Sequence, residues 1–449
     1  MNRFKLISSA AFLLLAIFAT AQNPLITNQF TADPTARVFN GKVYVFPSHD
    51  IPTPPEKPGR KDWFCMADYH VFSSENLTDW TDHGTIVSQN KVKWVDSTSY
   101  SMWAPDCIER NGKFYFYFPA NTNVADAKGR KGFGIGVAIA EKPEGPYKAL
   151  PEPIKGVAGI DPNVFIDRDG QAYLYWALGK IFVAKLKDNM TELASEPQVI
   201  DNLPQKGLIE GPFLFERQGI YYLTIPHVEN KVERLEYAMG NSPVGPFKMS
   251  GVIMDESPVN CWTNHQSMVN YRNQWYLFYH HNDLSPKFDK NRSIRADSLF
   301  FNADGTIRKV IPTLRGVGIS SAKSNLQVDR YSAISEKGVF TEFVDSTATF
   351  KGWKLIFKQE NAWARFNKVD LGNQKLKKAL INAQSVAGAS FEIRLKGLNG
   401  PILATGKLDA SRDLKVSAAK LNKYKSGVYD LFLISKSPET FAIDWLKFE

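Results

Sequence analysis

Leu208-Ile-Glu-Gly-Pro-Phe-Leu-Phe-Glu-Arg-Gln-Gly-Ile-Tyr-Tyr-Leu223 sets an acid, Glu210, on a Gly-Pro turn just ahead of an apolar run, reverses at Gly219 and continues into a second run rich in aromatics. A polar residue and glycine between two apolar runs mark a tight β-hairpin, because the favoured hairpin turns need positive φ at their centre. The stretch predicts a hairpin with a carboxylate at its entrance. Alone, that carboxylate reads as a turn residue, since acids and Gly-Pro pairs start turns for purely local reasons.

The pattern recurs. Thr31-Ala-Asp33-Pro34 leads into a run turning at Asn40-Gly41, and Met102-Trp103-Ala-Pro-Asp106 into one turning at Asn111-Gly112. Gly159-Ile-Asp161-Pro162 leads to a turn at Asp169-Gly170, and Asn264-His265 to one at Asn273-Gln274. With Gly219, the turns at Gly41, Gly112, Gly170 and Gln274 are spaced 71, 58, 49 and 55 residues apart. Each interval holds further strand-like material, such as Gly134–Ala140 and Val232–Ala238, and Gly145-Pro-Tyr-Lys148 returns as Gly245-Pro-Phe-Lys248. Units of about four strands at this period are propeller blades. The fold class expected is all-β: a five-bladed β-propeller over residues 22–320, then a smaller β domain.

Glu210, Asp161 and His265 lie nine positions before the second turn residue of their units, Asp33 lies eight before, and Trp103 holds the matching place in the second unit. The innermost strand of each blade lines the propeller axis, so three carboxylates, one imidazole and one indole should converge on one funnel. Three acids at equivalent places in a repeat outweigh the turn reading.

Composition agrees with a folded, β-rich protein: 43% of residues are hydrophobic, 13% aromatic and 22% charged. Three cysteines in 449 residues cannot form a disulfide framework, so buried thiols are expected. The net charge of +9 gathers in the tail, where 20 Lys and Arg face 12 Asp and Glu from Arg330 onward. Scattered tail lysines read as a solvated β surface, and no nucleic-acid partner is expected. Arg3 and Lys5, the apolar run Leu6–Phe18 and Ala19-Thr-Ala21 read as a signal peptide over residues 1–21, which implies a periplasmic or secreted protein. No membrane span is expected, because no later run is long and apolar enough. Residues 321–340 read as a polar linker and 341–449 as a jelly-roll-like β-sandwich, from alternating runs such as Ser390–Leu395 and Gly427–Ile434.

On these motifs the stretch from Asp33 to Ile311 resembles glycoside hydrolase family 43, five-bladed propellers with three acids in a central pocket. The resemblance implies that Asp33 is the general base, Glu210 the general acid, and Asp161 the residue that orients and tunes the acid. It implies that His265 helps hold the pocket, in some relatives beside a metal ion reached through water, and that Arg292 of Asn291-Arg-Ser-Ile-Arg295 contacts a sugar hydroxyl. No cofactor is required; a structural calcium at His265 is the one metal left open. Trp103 is either a sugar-stacking platform or a core residue of its blade. The tail is similar to a family 6 carbohydrate-binding module, on Trp363-Ala-Arg-Phe-Asn, Phe391–Leu395 and Asp444-Trp445. Asp409–Val416 replaces its expected Trp-containing stretch, so the module is either a sugar binder or a structural appendage.

Cleavage of a glycosidic bond needs a carboxylic acid to protonate the leaving oxygen and a carboxylate acting from the other side of the ring. For Glu210 to hold a proton above the usual range, a neighbouring negative charge, expected from Asp161, or burial is needed, while Asp33 should stay ionised in a wetter place near Arg292. The expected activity is inverting release of terminal pentoses from arabinose- or xylose-containing polysaccharides or oligosaccharides by a monomer, α-L-arabinofuranosidase first. β-Xylosidase, arabinanase and galactofuranosidase are the alternatives within the class, and a non-catalytic carbohydrate-binding protein is the alternative outside it. The proline-rich loop Ile51–Asp62 would wall the pocket and favour exo action.

Overall fold

A computed structural model describes residues 23–123, 131–328, 331–372 and 376–449. The leader read over residues 1–21 lies outside the described residues.

Four four-stranded antiparallel sheets and one three-stranded sheet follow in sequence order. The first blade is β1 (Ala32–Phe39), β2 (Lys42–Asp50), β3 (Met66–Ser74) and β4 (Thr81–Ser88). The second is β5 (Asp106–Arg110), β6 (Lys113–Asn121), β7 (Phe133–Ala140) and β8 (Lys148–Ala149). The third is β9 (Ile160–Ile166), β10 (Ala172–Ala177), β11 (Ile181–Lys185) and β12 (Gln198–Val199). The fourth is β13 (Phe213–Arg217), β14 (Ile220–Val228), β15 (Glu233–Gly240) and β16 (Lys248–Met254). The fifth has β17 (Ser267–Tyr271), β18 (Gln274–His281) and β19 (Ser293–Leu299). Along the last strand runs the N-terminal segment, with Leu25 N–H donating to the Ile294 carbonyl (2.8 Å) and the Asn23 side chain clamping Ala296.

The hairpin turns form where positive φ is tolerated, at Asn40-Gly41 (φ 50° and 76°), Asn111-Gly112 (53° and 75°) and Gln218-Gly219 (55° and 85°). In the fifth blade the turn is Arg272-Asn273 (52° and 63°), not Asn273-Gln274, because Gln274 already pairs with Tyr271. His265 therefore lies eight residues before its turn, as Asp33 does.

Period-two alternation explains why the blades stack. Val43 and Val45 of β2 face the fifth blade with Phe278 and Ile294, while Tyr44 and Phe46 face the second blade with Phe116 and Phe118. Among the described residues such an apolar layer lies between every pair of neighbouring blades. Burial on both faces is why these strands read as nearly continuous apolar runs.

A ring of polar links joins the innermost strands. Thr35 Oγ1 donates to the Pro105 carbonyl (2.7 Å), Asp106 Oδ2 accepts Val164 N–H (2.6 Å), Asn163 Oδ1 accepts Leu214 N–H (2.9 Å), Gln266 Nε2 donates to the Gly211 carbonyl (2.9 Å), and Ser267 Oγ accepts Ala36 N–H (2.9 Å). These bonds close the circle from first blade to last.

The C-terminal β-sandwich starts earlier than expected. One sheet holds Trp363–Asp370, Val428–Ser435, Ala389–Leu395 and Ile402–Leu408; the other holds Val339–Phe343, Trp353–Phe357, Phe441–Phe448, Lys378–Ser385 and Ser411–Lys420. Residues 321–340 are not a free linker: Ser320–Ser321 and Ala333–Ile334 pair with Trp363–Asp370, and Leu326–Gln327 pairs with Phe441–Phe448. A polar, small-residue stretch thus satisfies its backbone by joining sheet edges, which its side-chain pattern does not announce. All three cysteines are free and buried. No helix among the described residues is long and apolar enough to cross a membrane.

Asp106 is buried, grips Arg37 through both oxygens, and accepts the Asn163 amide (3.0 Å) as well as the Val164 and Cys107 N–H groups. Truncation would strand these buried donors and leave the partly buried Arg37 guanidinium without its carboxylate. Asp106→Ala is expected to lower the free energy of unfolding by about 3–5 kcal/mol, measured by urea denaturation; an unchanged midpoint would show that the junction of the second and third blades does not rely on this carboxylate.

Candidate active site

The acids owe their aim to a repeated irregularity. Between the pairs Ala32↔Ser48 and Thr35↔Phe46, and again between Ile160↔Ala177 and Asn163↔Tyr175, the innermost strand holds one more residue than its partner. The same excess separates Ile209↔His227 from Phe213↔Thr224. Each is a bulge, a device that re-aims a side chain at a strand end. Asp33 (φ 48°) and Asp161 (φ 56°) take the left-handed conformation there, which Asp tolerates better than most residues. In the fourth blade the positive φ falls on Gly211 (51°), where a Cβ would lie 2.8 Å from Pro226 and 3.1 Å from the His265 ring. Only glycine fits, which explains Glu-Gly-Pro where the first and third blades have Asp-Pro.

Asp33 is buried, not in a wet place as expected. Its Oδ1 accepts Arg292 Nη1 (2.8 Å), and its Oδ2 accepts Arg292 Nη2 (3.2 Å) and the Ser48 hydroxyl (2.7 Å). Burial works to raise its pKa, but the guanidinium and these bonds prevail and hold it down at about 2. The carboxylate stays ionised because it is paired, not because it is hydrated. The stability this pair contributes is fully present above the ordinary Asp value of 3.8 and is lost as pH falls through about 2.

Arg292 is itself buried and held cationic against burial by two carboxylates, Asp33 and Asp50. Asp50 accepts its backbone N–H (2.8 Å), its Nε (2.9 Å) and its Nη2 (2.9 Å). Nη1 also reaches Thr263 Oγ1 (3.2 Å). The expected sugar-contacting arginine is thus first the group that charges the Asp33 carboxylate. Asp50 escaped the sequence reading because it ends a strand with no distinguishing motif. His280 lies 3.5 Å from Asp33 but forms no ion pair. Burial keeps its ring neutral, its Nδ1 accepts Asp33 N–H (3.1 Å), and its Nε2 is left to donate to the Thr263 carbonyl (3.0 Å).

Asp161 accepts Gly211 N–H through Oδ2 (2.9 Å), which ties it to the residue after Glu210. Burial first, and Glu210 second, push it well above the carboxylate range. Glu210 is half-buried, more open than Asp33 or Asp161, and is raised to about 7. Burial is its leading cause, with Asp33 adding to it, and Asp161 and Glu210 repel each other. Coupled acids titrate as a set, and the cost of a second negative charge falls on whichever loses its proton last.

A fourth acid, Glu233 at the start of β15, belongs to this set and went unread in the sequence. It is fully buried, its Oε2 accepts Asn264 N–H (2.6 Å), and its Oε1 meets no donor. It is hydrogen-bonded to Glu210, and burial and that neighbour push it well above the usual range. An acceptor without a donor beside another carboxylate is what a protonated acid looks like, so Glu233 donates to Glu210. It opens a strand that also carries Arg234 and Glu236, so nothing along the chain singles it out.

His265 is buried and neutral, lowered to about 4 by burial and by Arg292 against the pull of Asp33. Calcium takes six to eight oxygen ligands, and among the described residues no group of three metal-binding side chains includes His265. A calcium ion at His265 would therefore take most of its ligands from water, as the family resemblance implies. Trp103 packs in an aromatic cluster: its ring lies 4.7 Å from Phe133 and 6.3 Å from Phe64, which in turn lies 6.2 Å from Trp262 and beneath Arg292 at 4.7 Å. Trp63 joins through Trp262 at 5.7 Å. Trp63 and Trp262 were not expected at the site, since both come from loops outside the repeated hairpins.

The Glu233 bond lowers the Glu210 pKa. Glu233→Ala is therefore expected to move the alkaline limb of kcat/KM to higher pH, whereas Glu233→Gln, which keeps a donor, leaves it near its wild-type position. Superimposable pH profiles for the alanine variant and wild type would remove Glu233 from the proton set.

Residues 21–307 match the model of glycosyl hydrolases family 43, and residues 334–449 match that of carbohydrate binding module family 6. A xylosidase/arabinosidase of Humicola insolens is 38% identical over 63% of this chain and 98% of its own length. An arabinoxylan arabinofuranohydrolase of Paenibacillus polymyxa is 26% identical over 92% of this chain and 71% of its own. A β-xylosidase/α-arabinofuranosidase from a compost microbial metagenome, solved with xylotriose in a calcium-free form, superposes with a TM-score of 0.57 at 34% identity, covering 65% of this chain and 98% of that one. With a matched propeller of this extent and its acids gathered at one site, the chain belongs to glycosyl hydrolases family 43.

Proposed function

We propose that the protein is an exported, inverting exo-hydrolase that releases terminal pentoses, with α-L-arabinofuranosyl ends as its first substrate. The observation that carries the reading is the unequal protonation of the acids: Asp33 is held ionised by Arg292, while Glu210 is pushed to about 7. One carboxylate is then a base and the other an acid at the same pH, as glycoside hydrolysis requires.

In this mechanism the Glu210 carboxyl protonates the glycosidic oxygen as the bond to the anomeric carbon breaks. Asp33 takes a proton from a water attacking the opposite face, so configuration inverts. Asp161 fixes the Gly211 N–H and with it the aim of Glu210. Trp103, Trp63 and Trp262 supply aromatic surface for a sugar face. A second reading, β-xylosidase, is favoured by the names of the similar proteins from Humicola insolens and compost. Export rests on the leader-like residues 1–21.

Glu210→Gln and Asp33→Asn are each expected to cut kcat on aryl α-L-arabinofuranosides and β-D-xylosides by about 10²–10⁴-fold, the usual weight of a general acid or base. Wild-type turnover by either purified variant would sink the assignment. NMR of the first sugar released decides stereochemistry, and a retained anomer would overturn the inverting mechanism. Binding of oligosaccharides with no product from wild type would favour a carbohydrate-binding protein. Since the acid must keep its proton, kcat/KM should fall with rising pH through about 7, and since Asp33 is ionised down to about 2, no acid limb from this base should appear near its ordinary value of 3.8. An acid limb centred near 4 that disappears in Asp33→Asn residual activity would contradict the role of Arg292.

A further inference from the structure

We infer that His49, Asp68 and His70 form a divalent-metal site of the zinc class that clamps the base of the loop between β2 and β3. Their ligand atoms lie within 4.8 Å of one another, and all three side chains are partly buried. His49 stands next to the end of β2, and Asp68 and His70 alternate on one face of β3, so they flank the loop 51–65 from both sides.

The second sphere is in place. His70 Nδ1 lies 2.9 Å and 3.1 Å from the two oxygens of Asp82, which fixes that nitrogen as the N–H donor and leaves Nε2 with its lone pair. A carboxylate behind a ligating imidazole is the usual arrangement of metal-binding histidines. Asp82 is itself held by Gly84 N–H (2.7 Å), and the His70 ring stacks on Phe72. Nε2 now receives only a long bond from the Thr85 hydroxyl (3.2 Å). His49 Nδ1 and Asp68 Oδ1 are joined at 2.7 Å, and a cation between them would replace the shared proton.

Two imidazoles and one carboxylate suit zinc and its first-row neighbours rather than calcium or magnesium. Tetrahedral bonds of about 2.0–2.2 Å place ligand atoms about 3.3–3.6 Å apart, so the His49–Asp68 pair, now at 2.7 Å, opens as the ion enters, a movement that side-chain rotation supplies, and water takes the remaining position. The consequence reaches the active site through neighbours in sequence. Ser48 and Asp50, on either side of His49, bind Asp33 and Arg292, and the clamped loop carries Trp63 and Phe64. The site lies outside the carboxylate cluster, and nothing in it depends on which glycoside is cleaved.

Tag-free protein, stripped with a chelator and titrated with zinc chloride by calorimetry, should bind one equivalent. Affinity should fall at least about tenfold in Asp82→Asn, as for lost second-sphere partners, and vanish in His70→Ala, while His83→Ala binds as wild type does. Asp68→Asn serves if the histidine variant does not fold, and should lose the same binding. Zinc should also slow proteolysis between residues 51 and 65 in wild type but not in Asp68→Asn. Absence of stoichiometric binding, equal affinity in wild type and His70→Ala or Asp68→Asn, or binding that leaves loop cleavage unchanged would overturn the clamp.

Discussion

A single buried guanidinium, that of Arg292, is the constraint on which the working end of the propeller depends. It comes from the last blade, yet both its carboxylate partners, Asp33 and Asp50, come from the first. One ion-paired triad therefore joins the last blade to the first and keeps Asp33, the proposed base, charged. Buried ion pairs are poor sources of net stability because desolvation opposes the Coulomb gain, but removing one partner leaves a charge with no water and no mate.

The opposite logic governs the other side of the pocket. Asp161, Glu210 and Glu233 are gathered where no cation touches them directly, so burial and mutual repulsion keep protons on the set. The backbone N–H groups of Gly211 and Asn264 stabilise charge on Asp161 and Glu233, and the Glu233 proton stabilises charge on Glu210. An acid poised near neutrality emerges from one fold that holds another carboxylate ionised at the equivalent place in a different blade. Division of labour between like groups is set by which of them meets Arg292.

Much of this was legible beforehand, and for a definite reason. Hairpin turns at Gly41, Gly112 and Gly219 are written in the chain because only certain residues accept positive φ, and a propeller repeats the requirement blade after blade. The three acids were visible because the repeat gave each one an address. Residues without such an address stayed hidden. Asp50 and Glu233 sit at ordinary strand ends, Trp63 and Trp262 sit in loops, and the polar stretch 321–340 hides backbone pairings with both sheets of the sandwich. The fifth turn was misplaced by one residue because it contains no glycine.

By itself the sequence determined the number of blades, the turns of four of the five hairpins and the three carboxylates at equivalent places, since periodicity and turn chemistry are local properties of the chain. Only the tertiary structure decided what those carboxylates are. Protonation depends on the groups that approach from other blades: Arg292 lies 259 residues from Asp33, and Asn264 lies 31 from Glu233. Charge and burial act through space, so no reading along the chain could tell that Asp33 is dry and paired, or that burial leads in raising Glu210.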